Sequence, residues 1–384
     1  MNLKRVVAVA QKEWREIVRD RLFFSLAFIV PVTLMLMFGF GLSLDVENIP
    51  MAIVDHDGTA LSRDYAHRYI DSRYFQFLGY SHNERELTPL LTDNKIRAAI
   101  IIPEHFEKDL LSGRPAQIQT LIDGTFPFRA QTTKGYIIAI NSAVSSELLA
   151  DYLTRLRGIS HAQALSIVQP VRLEMRYLYN QSVKSIWSLA PKLIMVILMI
   201  SPPFLTALGI VREKESGSIY NIYSSTLSRG EFLIGKLVPY VGISILNALV
   251  LWMLAIWLFA VPFKGPPVFF FLATVMYVIC TTGIGLVVSV LVRTQTAAMI
   301  VTAIFTIVPA VLYSGILVPI SSLTSAAQVI AHALPAMYYT DIVLGCFLKG
   351  VGLTALWLEL LVLGLYAAVL FTVGYLMFSK RPKA

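Results

Sequence analysis

Arg212-Glu213-Lys214-Glu215-Ser216-Gly217-Ser218, continued by Ser228-Arg229-Gly230-Glu231 and Gly235-Lys236, is a short charged segment between two long apolar runs. Those runs, 187–210 and 237–261, each reach the roughly 20 apolar residues needed to cross a bilayer. A loop this short between two spans cannot fold as a domain. It lies at the membrane surface, within reach of whatever touches it there.

Working outward, further apolar runs at 22–44, 268–291, 296–319 and 353–378 bring the expected number of spans to six. Of the 384 residues, 56% are hydrophobic and 15% charged. A soluble chain so apolar would expose large sticky patches, so this is a membrane composition. The net charge of +8 comes from Lys and Arg beside the apolar runs, and no basic face interleaved with aromatics points to nucleic acid. Two cysteines, Cys280 and Cys346, make no disulfide framework.

Residues 2–20 are expected to form an amphipathic interfacial helix. Leu3, Val6, Val7, Ala10, Trp14, Ile17 and Val18 recur at helical spacing, and Lys4, Arg5, Lys12, Glu13, Arg15, Glu16 and Arg19 fill the other face. The run at 22–44 is too long for a signal-peptide core and is expected to be a signal-anchor span. Basic residues before it, and Arg212, Lys214, Arg229, Lys236, Arg293, Lys380, Arg381 and Lys383 in alternate connections, place both termini and 211–236 in the cytoplasm. Residues 45–186 are then extracytoplasmic.

That segment changes character. Strands are expected at 51–54, 97–102, 118–122 and 172–179, with helices over 59–70, from Pro103, and over 127–157. The expected fold class is an α-helical polytopic membrane protein with six transmembrane helices, plus an α+β extracytoplasmic domain between the first and second spans. Domains divide as 1–21, 22–44, 45–186 and a membrane domain of five spans at 187–384. Pro202-Pro203 should kink or break the second span. Residues 321–346, only moderately apolar, could dip into the membrane from the outer side.

Several stretches carry candidate chemistry. Asp55-His56-Asp57-Gly58-Thr59 after a strand resembles the first motif of haloacid-dehalogenase-type phosphatases, whose two acids attack phosphorus and hold magnesium. No paired-acid strand end follows before Ser185, and a polar turn with Asp57 capping the next helix explains the motif as well. Gly230-Glu231-Phe232-Leu233-Ile234-Gly235-Lys236 spells a phosphate loop whose magnesium ligand is replaced by Leu237. It is better taken as the start of the third span with Lys236 snorkelling to the interface. Six scattered histidines show no metal spacing. Lys192 and Glu359 are the ionisable residues within spans, both near the outer face, where Lys192 either serves function or snorkels. Met195, Met199 and Met299 suit either a promiscuous apolar surface or ordinary packing.

Taken together, the amphipathic start, one span, a large outer domain and five further spans resemble the type-2 ABC transporter permeases, also grouped as type V exporters. The most specific part is Arg212-Glu213-Lys214-Glu215-x-Gly217-Ser218 followed by Gly235-Lys236, with Ser225-Thr226 where the family has Ser-Pro. Ile53-Val54-Asp55-x-Asp57 with Ser62, and Asp123-Gly124, resemble the subgroup of Gram-negative multidrug-type exporters. The resemblance implies a permease subunit, not itself an enzyme, in a bacterial inner membrane. It implies a separate cytoplasmic ATPase holding ATP and magnesium, a second permease copy or paralogue, a periplasmic membrane-fusion adaptor, and contact with membrane lipids. Arg212, Glu213, Lys214, Glu215, Gly217 and Ser218 would open a short coupling helix whose N-terminal dipole favours the two glutamates. Met195, Met199, Met299 and Phe305, on the second and fifth spans, would line the substrate pathway. An ion-coupled secondary transporter and a membrane-anchored phosphatase using Asp55 and Asp57 are the other readings. The absence of acids deep in the membrane and of the later acid pair argues against them.

Overall fold

The computed structural model describes residues 2–42, 45–171, 173–218, 227–316 and 318–378. They form two compact units, Asp45–Met175 and the remainder, Met1–Leu44 with Arg176–Ala384.

The smaller unit is built on a four-stranded sheet of order β2-β1-β3-β4. Its strands are β1 (Ile49–Asp55), β2 (Phe75–Tyr80), β3 (Ala98–Ile102) and β4 (Gln119–Ile122). β1 pairs in parallel with β2 and β3, and β4 closes the far edge antiparallel to β3. Parallel neighbours need crossover helices, here α3 (Ala60–Ile70) and α4 (Glu84–Thr92). Side chains alternate across a strand. Met51, Ile53, Ala98, Ile100 and Ile102 therefore pack with Tyr65, Tyr69, Phe106 and Ile137. Ala52, Val54, Ala99 and Ile101 pack on the other face against Leu87 and Ile96. With both faces covered, all five residues of β3 are buried.

The expected strands at 51–54, 97–102 and 118–122 are present. β2 and α4 lie outside the expected elements, although Phe75, Phe77, Leu78 and Tyr80 give β2 the apolar content of a strand. The third helix of this unit, α5 (Phe106–Leu111), starts three residues after Pro103, since His105 adopts φ 64° just before it. The strand expected at 172–179 is not formed: among the described residues 173–179 pair with no strand, and Leu173 and Met175 stay exposed. The long α6 (Pro127–Arg157) is as expected and is followed by α7 (His161–Val168).

The larger unit opens with α1 (Leu3–Arg19) and α2 (Arg21–Gly41). Five further helices are long and apolar enough to cross a membrane: α8 (Ser185–Glu215), α9 (Arg229–Leu258), α10 (Pro267–Leu291), α11 (Gln295–Leu312) and, last in the chain, α14 (Leu353–Met377). Between α11 and α14, α12 (Ser325–His332) and α13 (Pro335–Lys349) form a pair bent by 83°. α8 is the hub, packing against α2, α9, α10, α11 and α13.

Pro202 and Pro203 do not break α8, which runs unbroken from Ser185 to Glu215. Thr206 Oγ1 donates to Pro202 O at 2.9 Å. A Cβ at Gly285 on α10 would sit 2.5 Å from Pro203 O, so only glycine lets the helices close there. Backbone hydrogen bonding lost at the prolines is tolerated because protein covers the site.

Candidate coupling site

The charged run of the opening stretch does not begin a short helix. Arg212 to Glu215 form the last turn of α8, and residues 219–226, where the expected coupling helix would continue, lie outside the described residues. The dipole argument therefore changes sign. A helix C-terminus carries partial negative charge and disfavours carboxylates, so the two glutamates need partners.

They have them. Successive helical residues are rotated by about 100°, so four consecutive side chains point in four directions. Each meets a different element. Arg212 donates to Asp20 Oδ2 at 2.6 Å, and Asp20 in turn caps α2 by accepting from the Leu22 and Phe23 amides. Burial works against the Asp20 charge, but the Phe23 N–H and Arg212 outweigh it and hold the carboxyl below its usual value. Lys214 Nζ donates to Ser289 O at 2.5 Å, satisfying a carbonyl in the last turn of α10. Glu215 Oε2 accepts from the Gln295 amide at 3.0 Å and its side chain at 2.9 Å, capping the first turn of α11.

Glu213 faces inward and is 4% exposed. Its Oε1 accepts from Lys12 Nζ at 2.5 Å and lies 3.0 Å from Lys236 Nζ. Lys236 is fully buried and also donates to Glu13 Oε1 at 2.6 Å. Tyr240 Oη donates to Glu13 Oε2 at 2.7 Å. Two lysines and two glutamates thus form an ion-pair knot joining α1, α8 and α9, with Glu16 at its rim 3.5 Å from Lys12 Nζ. Burial opposes the Lys12 charge, yet Glu213 and the nearby Glu16 and Glu13 hold its ammonium above the usual lysine value. Carboxylate oxygens of Glu13, Glu16 and Glu213 gather within 4.8 Å of one another. The ammonium groups of Lys12 and Lys236 offset two of these three charges, and Glu16 is half exposed.

Lys236 is therefore not snorkelling. It is locked in the knot, and the phosphate-loop spelling around it is the first two turns of α9. Ser228 and Glu231 form a reciprocal capping box there. Glu231 is buried and accepts from the Asn2 amide at 2.6 Å. Gly217 has φ 74°, the left-handed turn that ends helices. Ser218 Oγ donates to Glu213 O at 3.4 Å.

α1 is closer to the bundle than an ordinary surface helix. Val6, Glu13 and Ile17 are buried, whereas Leu3, Val7, Trp14 and Val18 form a separate exposed apolar stripe. A Cβ at Gly235 would sit 2.8 Å from both Val6 O and Val9 Cβ. Sequence analysis assigned Glu13 to the polar face. Its position seven residues after Val6 and four before Ile17 is the signal that could have moved it to the buried one.

The remaining candidates do not gather on one surface. Met195 and Met199 are fully buried in the core, whereas Met299 and Phe305 face outward from α11. In the smaller unit, Asp55 accepts from the Asp57 and Gly58 amides and from Ser62 Oγ at 2.8 Å. Asp57 accepts from Thr59 Oγ1 and from the Glu107 amide at 3.1 Å. Burial opposes the Asp57 charge, but these donors outweigh it and lower its pKa. The cap of α3 is Thr59, not Asp57.

Residues 21–376 match the ABC-2 family transporter proteins. The chain belongs to that family. Among relatives of this ABC-2 permease is the probable multidrug ABC transporter permease YbhS of Escherichia coli K12, 26% identical over 91% of this chain and 90% of the relative. YbhR of the same organism, also called a probable multidrug ABC transporter permease, is 26% identical over 98% and 99%. The linearmycin resistance permease protein LnrN of Bacillus subtilis is 21% identical over 87% and 88%. This ABC-2 chain is a membrane-embedded permease subunit of an ABC transporter. Its ATPase is a separate subunit, and family membership implies a paired arrangement.

Proposed function

We propose that the last turn of α8, with α1 and the first turns of α9, is the seat on which a cytoplasmic ATP-binding subunit acts, and that the chain exports hydrophobic or amphipathic compounds. The observation that supports this reading is the four-way contact of Arg212 to Glu215. A displacement applied at this turn reaches α2, α9, α10 and α11 together, because one rigid helix end holds them all. ATP and magnesium would be bound and used in the partner subunit. The membrane would be a bacterial inner membrane with both termini and 211–236 on the cytoplasmic side, given the placement of Lys and Arg. The sheet unit would then be periplasmic, a place to dock an adaptor, and a second copy or a paralogue would complete the pathway. The exposed apolar stripe of α1 would rest in lipid headgroups. The bent α12–α13 pair would enter the membrane from the outer face without crossing it.

Reconstituted complexes test the coupling. Glu215→Ala and, more severely, Gly217→Pro should abolish substrate stimulation of the ATPase while the permease still inserts and binds its partner. Proline cannot adopt φ 74°. Exposed Glu84 is the appropriate charge control, since Glu231 is buried. Normal transport and normal stimulation in both variants would overturn the assignment. Impermeant thiol labelling of single cysteines at Ser112 and Ser228, in a chain lacking Cys280 and Cys346, should occur from opposite sides of the membrane.

A further inference from the structure

α8 is sheathed by its neighbours almost completely. Over residues 189–211 the side chains that keep partial exposure are Lys192, Ile200 and Phe204. They are separated by eight and four residues, so they lie on one i+4 ridge, which winds about 120° round the helix between Lys192 and Phe204. The outward faces of other spans look different, with Phe305 and Leu365 each more than half exposed as expected against lipid. The line on α8 is a narrow slot in a covered helix.

Lys192 is the one charged group in that slot. Among the described residues no ion pair, hydrogen bond or ring contact engages it, and its side chain is partly covered by the neighbouring helices. Elsewhere in the same unit, Lys12, Arg212, Lys214 and Lys236 each have a partner. An ammonium held in an apolar slot without a counter-charge is costly, and such residues mark ligand paths. Trp187 lies five residues earlier with Lys184 over its ring at 5.6 Å, so an interfacial anchor stands about 7.5 Å above Lys192 along the helix. An apolar strip below and an aqueous boundary above suit a molecule with an acyl or ring body and one acidic head.

We propose that Lys192 is the head-group contact for an anionic amphiphile, a carboxylate, sulfate or phosphate ester carried along the α8 slot, so that this exporter selects acidic over cationic cargo. Ile200 and Phe204 contact the apolar body. The proposal concerns which cargo is bound and rests on the exporter reading. Its test needs no ATPase, so its failure is separable from failure of the coupling site.

The test is binding to the purified chain in lipid nanodiscs, using a fluorescent fatty acid and a quaternary-ammonium dye of equal chain length. Wild type should prefer the acid. Lys192→Met should weaken acid binding about tenfold or more, because a charge contact is lost, while leaving the cationic dye unchanged. Lys192→Arg should restore most of it. Nanodiscs of pure phosphatidylcholine and of phosphatidylcholine with phosphatidylglycerol separate cargo from resident lipid. A preference that survives at equal strength in both supports cargo. No acid preference in wild type, equal losses for both dyes in Lys192→Met, or a contact abolished by phosphatidylglycerol alone would each overturn the proposal.

Discussion

Two acidic turns in this chain look alike in sequence and differ in kind. At Asp55-His56-Asp57 in the smaller unit, the Asp55 carboxylate takes its hydrogen bonds from residues two, three and seven positions away. At Arg212-Glu213-Lys214-Glu215, Glu213 is held by Lys12, 201 residues earlier, and Glu215 by Gln295, 80 residues later. The first turn mostly shapes its own loop, with Asp57 alone reaching out, to the Glu107 amide 50 residues on. The second fixes helices that are remote in the chain. A dense charge motif is thus read best by the sequence distance of its partners, and only a tertiary structure supplies that distance.

The sharpest way to break this contrast is at Glu213. Glu213→Ala leaves the buried Lys236 with one partner fewer, and removing one member of a buried pair typically costs about 3–5 kcal/mol. Thermal unfolding of the permease in detergent should show that loss. The equivalent change at Asp55, whose donors are largely loop amides open to water, should be much smaller. Lys236→Met combined with Glu13→Gln should recover part of the stability lost in Lys236→Met alone, since no unpaired charge remains. A double-mutant cycle reads the recovery directly.

Gly209→Ala comes next. A Cβ there would sit 1.9 Å from Tyr240 Oη, pushing against the hydroxyl that holds Glu13. Overpacking of this kind costs about 1–3 kcal/mol, and Gly209→Ala with Tyr240→Phe should regain some of it. Glu215→Gln keeps an oxygen for the Gln295 amide and should cost less than Glu215→Ala, whose lost cap is worth about 1 kcal/mol. The smallest effect is expected at Asp57→Asn, at most about 1–2 kcal/mol, with transport intact. A transport defect larger than that of Glu215→Ala would erase the distinction between the two turns.

Much of the membrane unit was open to sequence analysis because span length is a property of each segment alone. The six runs could be counted from apolar stretches, and β1 and β3 from short apolar strands beside turn residues. The knot was not readable, because nothing local marks Lys12 or Glu13 as partners of residues more than two hundred positions away. The same reason misplaced Arg212 to Glu215. Charge suggested the start of a surface helix, whereas burial by α1 and α9 lets α8 carry its charges to its own end. Of the kink or break expected at Pro202-Pro203, the break does not occur, since it is a local expectation and the close approach of Gly285 is a tertiary fact.

The wide separation of α1 from its partners has a consequence for biogenesis. At about 5–20 residues per second, a ribosome needs roughly 10–40 seconds to make the two hundred residues between Lys12 and Glu213. Through that interval α1 has been synthesised and its counter-charges do not yet exist. The stripe of Leu3, Val7, Trp14 and Val18 gives the helix a berth on the bilayer surface while it waits. The arrival of α8 and the first turns of α9 then supplies Glu213 and Lys236, so the knot can close before α10, α11 and α14 have been made.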